Sequence, residues 1–143
     1  MATQNITTGS VTETTISKGR LWTARVMSWL VILFMLLDGI MKLIQPEMVV
    51  ESSLSLGYEQ HHIAVIGILA LISTILYAIP RTSILGAILL TGYWGGAIAT
   101  NFRMDHPLFT HVLFPVYFAI LAWGGLWLVN EQLRALFPLK TAN

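Results

Sequence analysis

Asp38 and Lys42 are charges set inside an apolar run, and no other residues of the chain are better placed to do chemistry. The run from Val26 to Ile44 reads VMSWLVILFMLLDGIMKLI. An acid four residues ahead of a base shares a helical face with it, in the order that also suits the helix dipole. A charge in a membrane span is costly, by roughly 3 kcal/mol on insertion scales, so a partner on the same helix lowers the cost. Such a pair has two uses. It fixes helix register as an ion pair, with Lys42 reaching outward along its stem, or it holds a proton or a ligand near the lipid boundary.

The next candidates surround Tyr93. The stretch Thr91-Gly-Tyr-Trp-Gly-Gly96 spaces Gly92 with Gly96 and Gly95 with Ala99 for close helix contact, a packing role shared with Gly39 in the first apolar run. Tyr93 can aim its hydroxyl at Asp38 or at a ligand headgroup, and a glycine-lined wall leaves room for a flat ring or a lipid tail. Asn101 and Arg103 follow, with Asp105 and His106 beside them. Adjacent histidines such as His61 and His62 diverge by about 100° on a helix, and no HxxxH spacing is present, so no metal site is expected. Nucleophile–base triads, phosphate loops and paired acid/base carboxylates are missing as well. The absence of cysteine removes disulfides, thiolate metal sites and CxxC relays, which leaves redox chemistry to a bound cofactor or a partner.

The elements that must position these groups are membrane helices. The chain has 143 residues, 55% of them hydrophobic and only 10% charged, where soluble domains carry about a quarter. Four apolar segments are predicted, over about 24–44, 63–79, 84–100 and 108–129. Each is long enough to cross a hydrocarbon core of roughly 30 Å at about 1.5 Å per residue. The expected fold is an all-α integral membrane protein, a four-helix bundle. Residues 1–19, rich in Thr, Ser and Asn, read as a flexible tail. Their Asn5-Ile-Thr7 sequon is discounted because the tail is placed in the cytoplasm. No secretory signal is evident. Residues 20–138 form the membrane domain and 139–143 a short C-terminal tail. Gln45–His62 is too polar to span and is expected to hold a short amphipathic helix ending at Gly57. Pro80 ends the second segment, Ser83 caps the third, and Pro115 bends the fourth near its outer end. The tail from Asn130 continues the fourth helix briefly and stops at Pro138.

Basic residues set the orientation. Lys18, Arg20, Arg25, Arg81, Arg134 and Lys140 fall on one side, and only Lys42 and Arg103 on the other. The positive-inside rule then puts both termini in the cytoplasm and gathers Asp38, Lys42, Asn101, Arg103 and all four histidines at the outer end. Near-neutral net charge leaves no nucleic-acid footprint.

Several short pieces, in this order, carry a resemblance. They are Ala24-Arg25-Val26, Gly39-Ile-Met-Lys42-Leu43 before a proline, Leu56-Gly57-Tyr58, Val65-Ile-Gly67, Tyr77-Ala-Ile-Pro80-Arg81-Thr82, Leu85 through Tyr93 continuing to Ala97, Pro107-Leu108-Phe109 and Leu133-Arg-Ala-Leu136. Together, over roughly 22–138, they resemble the DoxX-like family. The resemblance implies a four-helix protein of the bacterial inner membrane, in a family associated with quinone-linked oxidoreductases. The family's Gly-x-x-Lys element maps onto Gly39 and Lys42. Two positions depart from the family pattern: Ala70 stands where a glutamate is frequent, leaving Asp38 to partner Lys42, and Asn101 where histidine is frequent.

The reading that follows is an accessory or quinone-associated membrane component. Its outward polar pocket is formed by Asp38, Lys42, Tyr93, Asn101 and Arg103. The lipid bilayer, a partner oxidoreductase subunit and a second copy of the chain are its expected partners. A structural adaptor in which the same residues only lock the bundle is the alternative. A small lipophile-converting enzyme using Asp38 as acid or base is the third reading, ranked lowest because a second carboxylate is missing.

Overall fold

The computed structural model describes residues 15–137, which fold as helices with no strand among them. Residues 1–14 and 138–143, including Asn5, Pro138 and Lys140, lie outside the described residues.

Helix α1 spans Lys18–Ile44. It begins well before residue 24 because Ser17 caps it, accepting from the Arg20 amide, while Arg20 Nε donates to the Leu128 carbonyl at 2.9 Å. The first turn is therefore held to the far end of the fourth span, and the expected tail to residue 19 is shortened. The helix ends at Gln45, in the left-handed region (φ 53°), just before Pro46.

Helix α2, Glu47–Ser55, is the short segment expected between the first two spans. Tyr58 N–H bonds the Ser53 carbonyl at 3.1 Å and Gly57 N–H that of Leu54 at 2.9 Å, the Schellman pattern. Gly57 supplies the positive φ (86°) that this stop requires. Helix α3, Gln60–Ala78, starts with a Glu59–His62 capping box and stops before Pro80. Helix α4 is Ser83–Arg103. Ser83 is its first residue rather than its cap: Thr82 takes the cap position, and the Ser83 hydroxyl donates back to the Pro80 carbonyl at 3.1 Å.

Proline splits the fourth span instead of bending it. Leu108–Val112 forms a π-helical turn, and helix α5 follows as Phe114–Val129 with Pro115 in its first turn. Pro115 brings no N–H to continue a helical ladder, and its ring is compatible with a helix start. Asn130 then interrupts the chain and caps a separate helix α6, Glu131–Leu136.

Four of these stretches are long and apolar enough to cross a membrane: Lys18–Ile44, Gln60–Ala78, Ser83–Arg103 and Leu108–Val129. They form a closed ring in which α1 packs between α3 and α5, and α4 packs between the same two opposite α1. The diagonal pairs, α1 with α4 and α3 with α5, bring no Cα atoms within 8 Å of each other. Val31, Met35, Ala70, Ala87, Leu90 and Ala122 fill the middle.

Glycines decide how closely the ring seams approach. A Cβ on Gly39 would meet the Leu71 side chain at 2.7 Å, and one on Gly67 would meet the Lys42 Cβ at 2.8 Å, so α1 and α3 cross at these two. Gly86 lies against the Tyr77 backbone, and a Cβ on Gly125 would meet the Ser28 hydroxyl oxygen at 2.8 Å. Gly92, Gly95 and Gly96 were expected to do this work and do not. Nothing lies within 4 Å of a Cβ on any of them. The spacing rule locates small residues on a helix but says nothing about where the neighbouring helix runs, and α4 meets α3 closely at Gly86 instead.

Candidate functional site

A cavity of about 580 Å³ occupies the end of the bundle that carries α2. It exists because α1 and α4 face each other across the ring without touching. Side chains alone bridge that gap. Tyr93, from α4, donates its hydroxyl to Asp38 Oδ2 on α1 at 2.7 Å, and Lys42 Nζ pairs with Oδ1 of the same carboxylate one turn further along. Each carboxylate oxygen thus receives one donor. Among the described residues the Lys42 ammonium donates only to Asp38, which leaves two of its N–H groups unused.

Helix geometry explains the alignment. Asp38 and Lys42 stack on one face of α1 at the spacing that lets an acid and a base meet. Lys42 is held from the other side by α3, since Gly67 leaves space for its Cβ. Both side chains are mostly buried, Lys42 with 20% and Asp38 with 26% of the side chain exposed. The carboxylate cancels the ammonium, so the polar wall is neutral overall yet rich in donors.

A second wall, which begins one turn from Asp38 on the same face of α1, is aromatic. Phe34 stacks on Phe118 with ring centroids 4.2 Å apart, and Phe114 meets both rings, at 5.5 Å and 5.2 Å. All three rings line the cavity. Towards the α2 end the lining turns polar again, with Tyr58, Thr100, Asn101 and His111. Tyr58 and Thr100 share a hydrogen bond of 2.7 Å between their hydroxyls.

Four of the five residues expected to form a pocket come together here: Asp38, Lys42, Tyr93 and Asn101 all line the cavity. Asn101 presents little to it, because its amide donates to the Ala97 carbonyl at 2.9 Å and its carbonyl oxygen meets His106 Nδ1 at 2.8 Å. Arg103 is a correction. It is not among the lining residues, and its guanidinium donates to the Leu56 carbonyl at 3.3 Å, tying α4 to the turn after α2. The reason is rotational: two residues beyond Asn101 on a helix, its side chain is turned by about 200° from that face. Gly92 and Gly96 also line the cavity, so their part is to leave space rather than to pack.

Sequence reasoning missed Phe34, Phe114 and Phe118 as a wall, Tyr58 and His111 as lining, and Gly67 as the support of Lys42. The aromatic residues sit in runs of apolar neighbours that look alike until the helices are placed. His111 reaches the cavity through the π turn, which no local spacing signalled. For Gly67 there was a sign, since it fell within one of the family-like pieces. The described residues hold no cluster of three or more His, Cys, Asp or Glu side chains suited to a metal ion.

A second cleft, of about 670 Å³, lies at the other end of the bundle, between Arg25, Ser28, Tyr77 and Glu131 among others. Its buried hydroxyl is already used: Tyr77 donates to the Ala122 carbonyl at 3.0 Å and lies 3.2 Å from the Ser28 hydroxyl.

No curated protein and no solved structure matches the chain. The DoxX-like family matches it over residues 26–125, well over half its length and all four spans in whole or in part. With four helices able to cross a membrane, a closed ring and that match, this chain belongs to the DoxX-like family of multi-pass membrane proteins.

Proposed function

We propose that the chain is an accessory membrane component that binds a lipophilic, ring-bearing molecule of the quinone type in the cavity beside Asp38. The observation that carries this reading is the Tyr93–Asp38–Lys42 bridge standing beside the Phe34–Phe114–Phe118 wall. A neutral site with unused N–H donors favours an uncharged oxygen acceptor, such as a ring carbonyl, over an anion. The aromatic side chains beside it suit a flat ring. The volume is within the range of small-molecule sites, about 300–1,000 Å³.

In this role Lys42 donates to the ligand oxygen, and Asp38 fixes the ammonium and offsets its charge. Tyr93 holds the carboxylate from the far side of the ring. Electron transfer, if the ligand takes part in any, belongs to a partner oxidoreductase subunit, since the chain brings no thiol of its own. The distribution of Lys and Arg supports termini on the cytoplasmic side and a cavity near the outer face of a bacterial inner membrane.

The test is mass spectrometry of lipid extracts from gently purified protein, with Lys42→Ala alongside. A stoichiometric quinone or related lipophile in the wild type, lost in the variant, is the expected result. Bulk phospholipid alone in both would overturn the ligand reading.

One observation favours a structural adaptor as the second reading: both oxygens of Asp38 are partnered from within the chain, and its bond to Tyr93 joins two helices whose backbones do not approach each other. An adaptor predicts that Asp38→Ala and Lys42→Ala each destabilise strongly while the doubly neutral variant recovers. An acid/base enzyme is the weakest reading, because among the described residues Asp38 is the one carboxylate lining the cavity.

A further inference from the structure

The cavity has a side opening as well as an end. Ile66 and Leu69 of α3 and Gly92 and Gly96 of α4 all line it. Three of these four also lie on outward faces: Leu69, 55% exposed, shares a helix face with Val65 and Ile72, and the exposed Gly92 and Gly96 share one with Leu85 and Leu89, all exposed residues that do not line the cavity. Residues that touch both the interior and the exterior mark a gap between their helices. The gap has limits at both ends. Below it, Gly86 seats α4 directly on the Tyr77 backbone; above it, the hydrogen bond between Tyr58 and Thr100 closes α4 against the connection that leads into α3. Between those two closures the seam is floored by hydrogen atoms where other residues would place side chains, since nothing lies within 4 Å of a Cβ on Gly92 or Gly96.

Depth decides what meets this slot. Leu69 stands at the middle of α3 (Gln60–Ala78) and Gly92 at the middle of α4 (Ser83–Arg103), both membrane spans. The slot therefore opens onto acyl chains, not onto water or headgroups. An apolar passage from the hydrocarbon core to a polar, donor-rich wall fits an amphiphile whose head lies inside and whose tail lies in the passage.

We infer that the cavity loads laterally from the bilayer through the slot between α3 and α4, and that its ligand carries one flexible hydrocarbon chain lying over Gly92 and Gly96. This rests on the ligand reading given above and adds the entry route and the tail. Gly92 and Gly96 are then specificity residues: they select for the chain while Lys42 and Tyr93 hold the head.

The experiment compares two probes on the full chain in lipid nanodiscs, a benzoquinone bearing a decyl chain and the same ring bearing only a methyl group. Gly96→Leu places a side chain in the slot, and Gly95→Leu, on the same helix but outside the cavity lining, controls for bulk on α4. Gly96→Ala serves as the milder variant should the leucine fail to insert, and elution as a single species with unchanged thermal unfolding confirms folding. Several methylenes lose their contacts in Gly96→Leu, so affinity for the decyl probe should fall about tenfold or more. Affinity for the methyl probe, and of Gly95→Leu for both, should stay within about twofold. A decyl probe with a terminal diazirine should cross-link to residues 63–73 and 89–100. Equal loss of both probes in Gly96→Leu, or cross-links confined to α1 and α5, would overturn the lateral route while leaving the pocket. Failure of both probes to bind the wild type would overturn the ligand reading, and the route with it.

Discussion

The two ends of this bundle each turn a tyrosine inward and each use glycine, to opposite effect. At the end where α1 begins and α6 lies, Tyr77 is 3% exposed and gives its hydroxyl to a backbone carbonyl on α5. Gly86 lets α4 lie against the backbone of that same tyrosine, and Gly125 lets α5 close on α1. At the α2 end, Tyr93 gives its hydroxyl to a carboxylate across an open space, and Gly92 and Gly96 border that space without touching anything. The same two residue types make a seam at one end and a chamber at the other. A glycine in a membrane helix thus has two distinct uses, bringing backbones together or keeping a volume clear, and only the position of the neighbouring helix separates them.

The sharpest way to break this contrast is at Gly86. A Cβ there runs into backbone, which cannot move aside as a side chain can, so Gly86→Ala should cost about 3 kcal/mol or more, read by denaturant titration in detergent. The next largest effect belongs to the charge pair. Asp38→Ala leaves Lys42 without its partner and should destabilise by about 2 kcal/mol, below the range for a fully buried pair because some water reaches both groups. Lys42→Ala leaves Asp38 its hydrogen bond from Tyr93 and should stay folded in the same titration while losing the bound lipophile; strong destabilisation by both single changes with recovery in the double would favour the adaptor instead.

The tyrosines sharpen the comparison. Tyr77→Phe removes a buried hydrogen bond and should lower stability by about 1 kcal/mol while leaving ligand binding unchanged. Tyr93→Phe should do the reverse, weakening binding by about tenfold, the equivalent of about 1.4 kcal/mol, with a smaller change in thermal unfolding. Parallel calorimetry and binding on the two variants checks both at once. The smallest effect is expected at Gly92→Ala, which meets open space and should shift stability by no more than about 0.5 kcal/mol, towards greater stability if anything, since alanine favours the helix.

Much of the fold was legible because membrane spans announce themselves one at a time. An apolar run bounded by Pro46, by Pro80 or by the polar residues near 101–107 needs no tertiary information to be recognised. The pairing of Asp38 with Lys42 was legible for the same reason, being a property of one helix. Tyr93 could be pointed at Asp38 in principle, and the bond between them spans two helices whose relation the sequence does not state. Failures occurred wherever the answer lay on a neighbouring helix or in a change of helical pitch. The glycines of α4 matched a packing pattern, but no described neighbour packs on that stretch. Arg103 was grouped with Asn101 by proximity in the chain, although rotation about the helix sends it to the Leu56 carbonyl. The π turn at Leu108–Val112 brought in His111 and divided a span that looked continuous.

Gly67 has a consequence for how such a site can vary. Its missing side chain is the space in which the Lys42 Cβ rests. An added methyl group there would meet that Cβ at 2.8 Å and the Gly39 carbonyl at 3.0 Å, so α1 itself would have to give, carrying Lys42 and Asp38 together relative to Tyr93 on α4. Position 67 therefore acts as an adjusting screw for the charged pair. Selectivity at the cavity's polar wall can be retuned from it, on a helix that contributes no charge to the wall, while every residue with a polar role there keeps its identity.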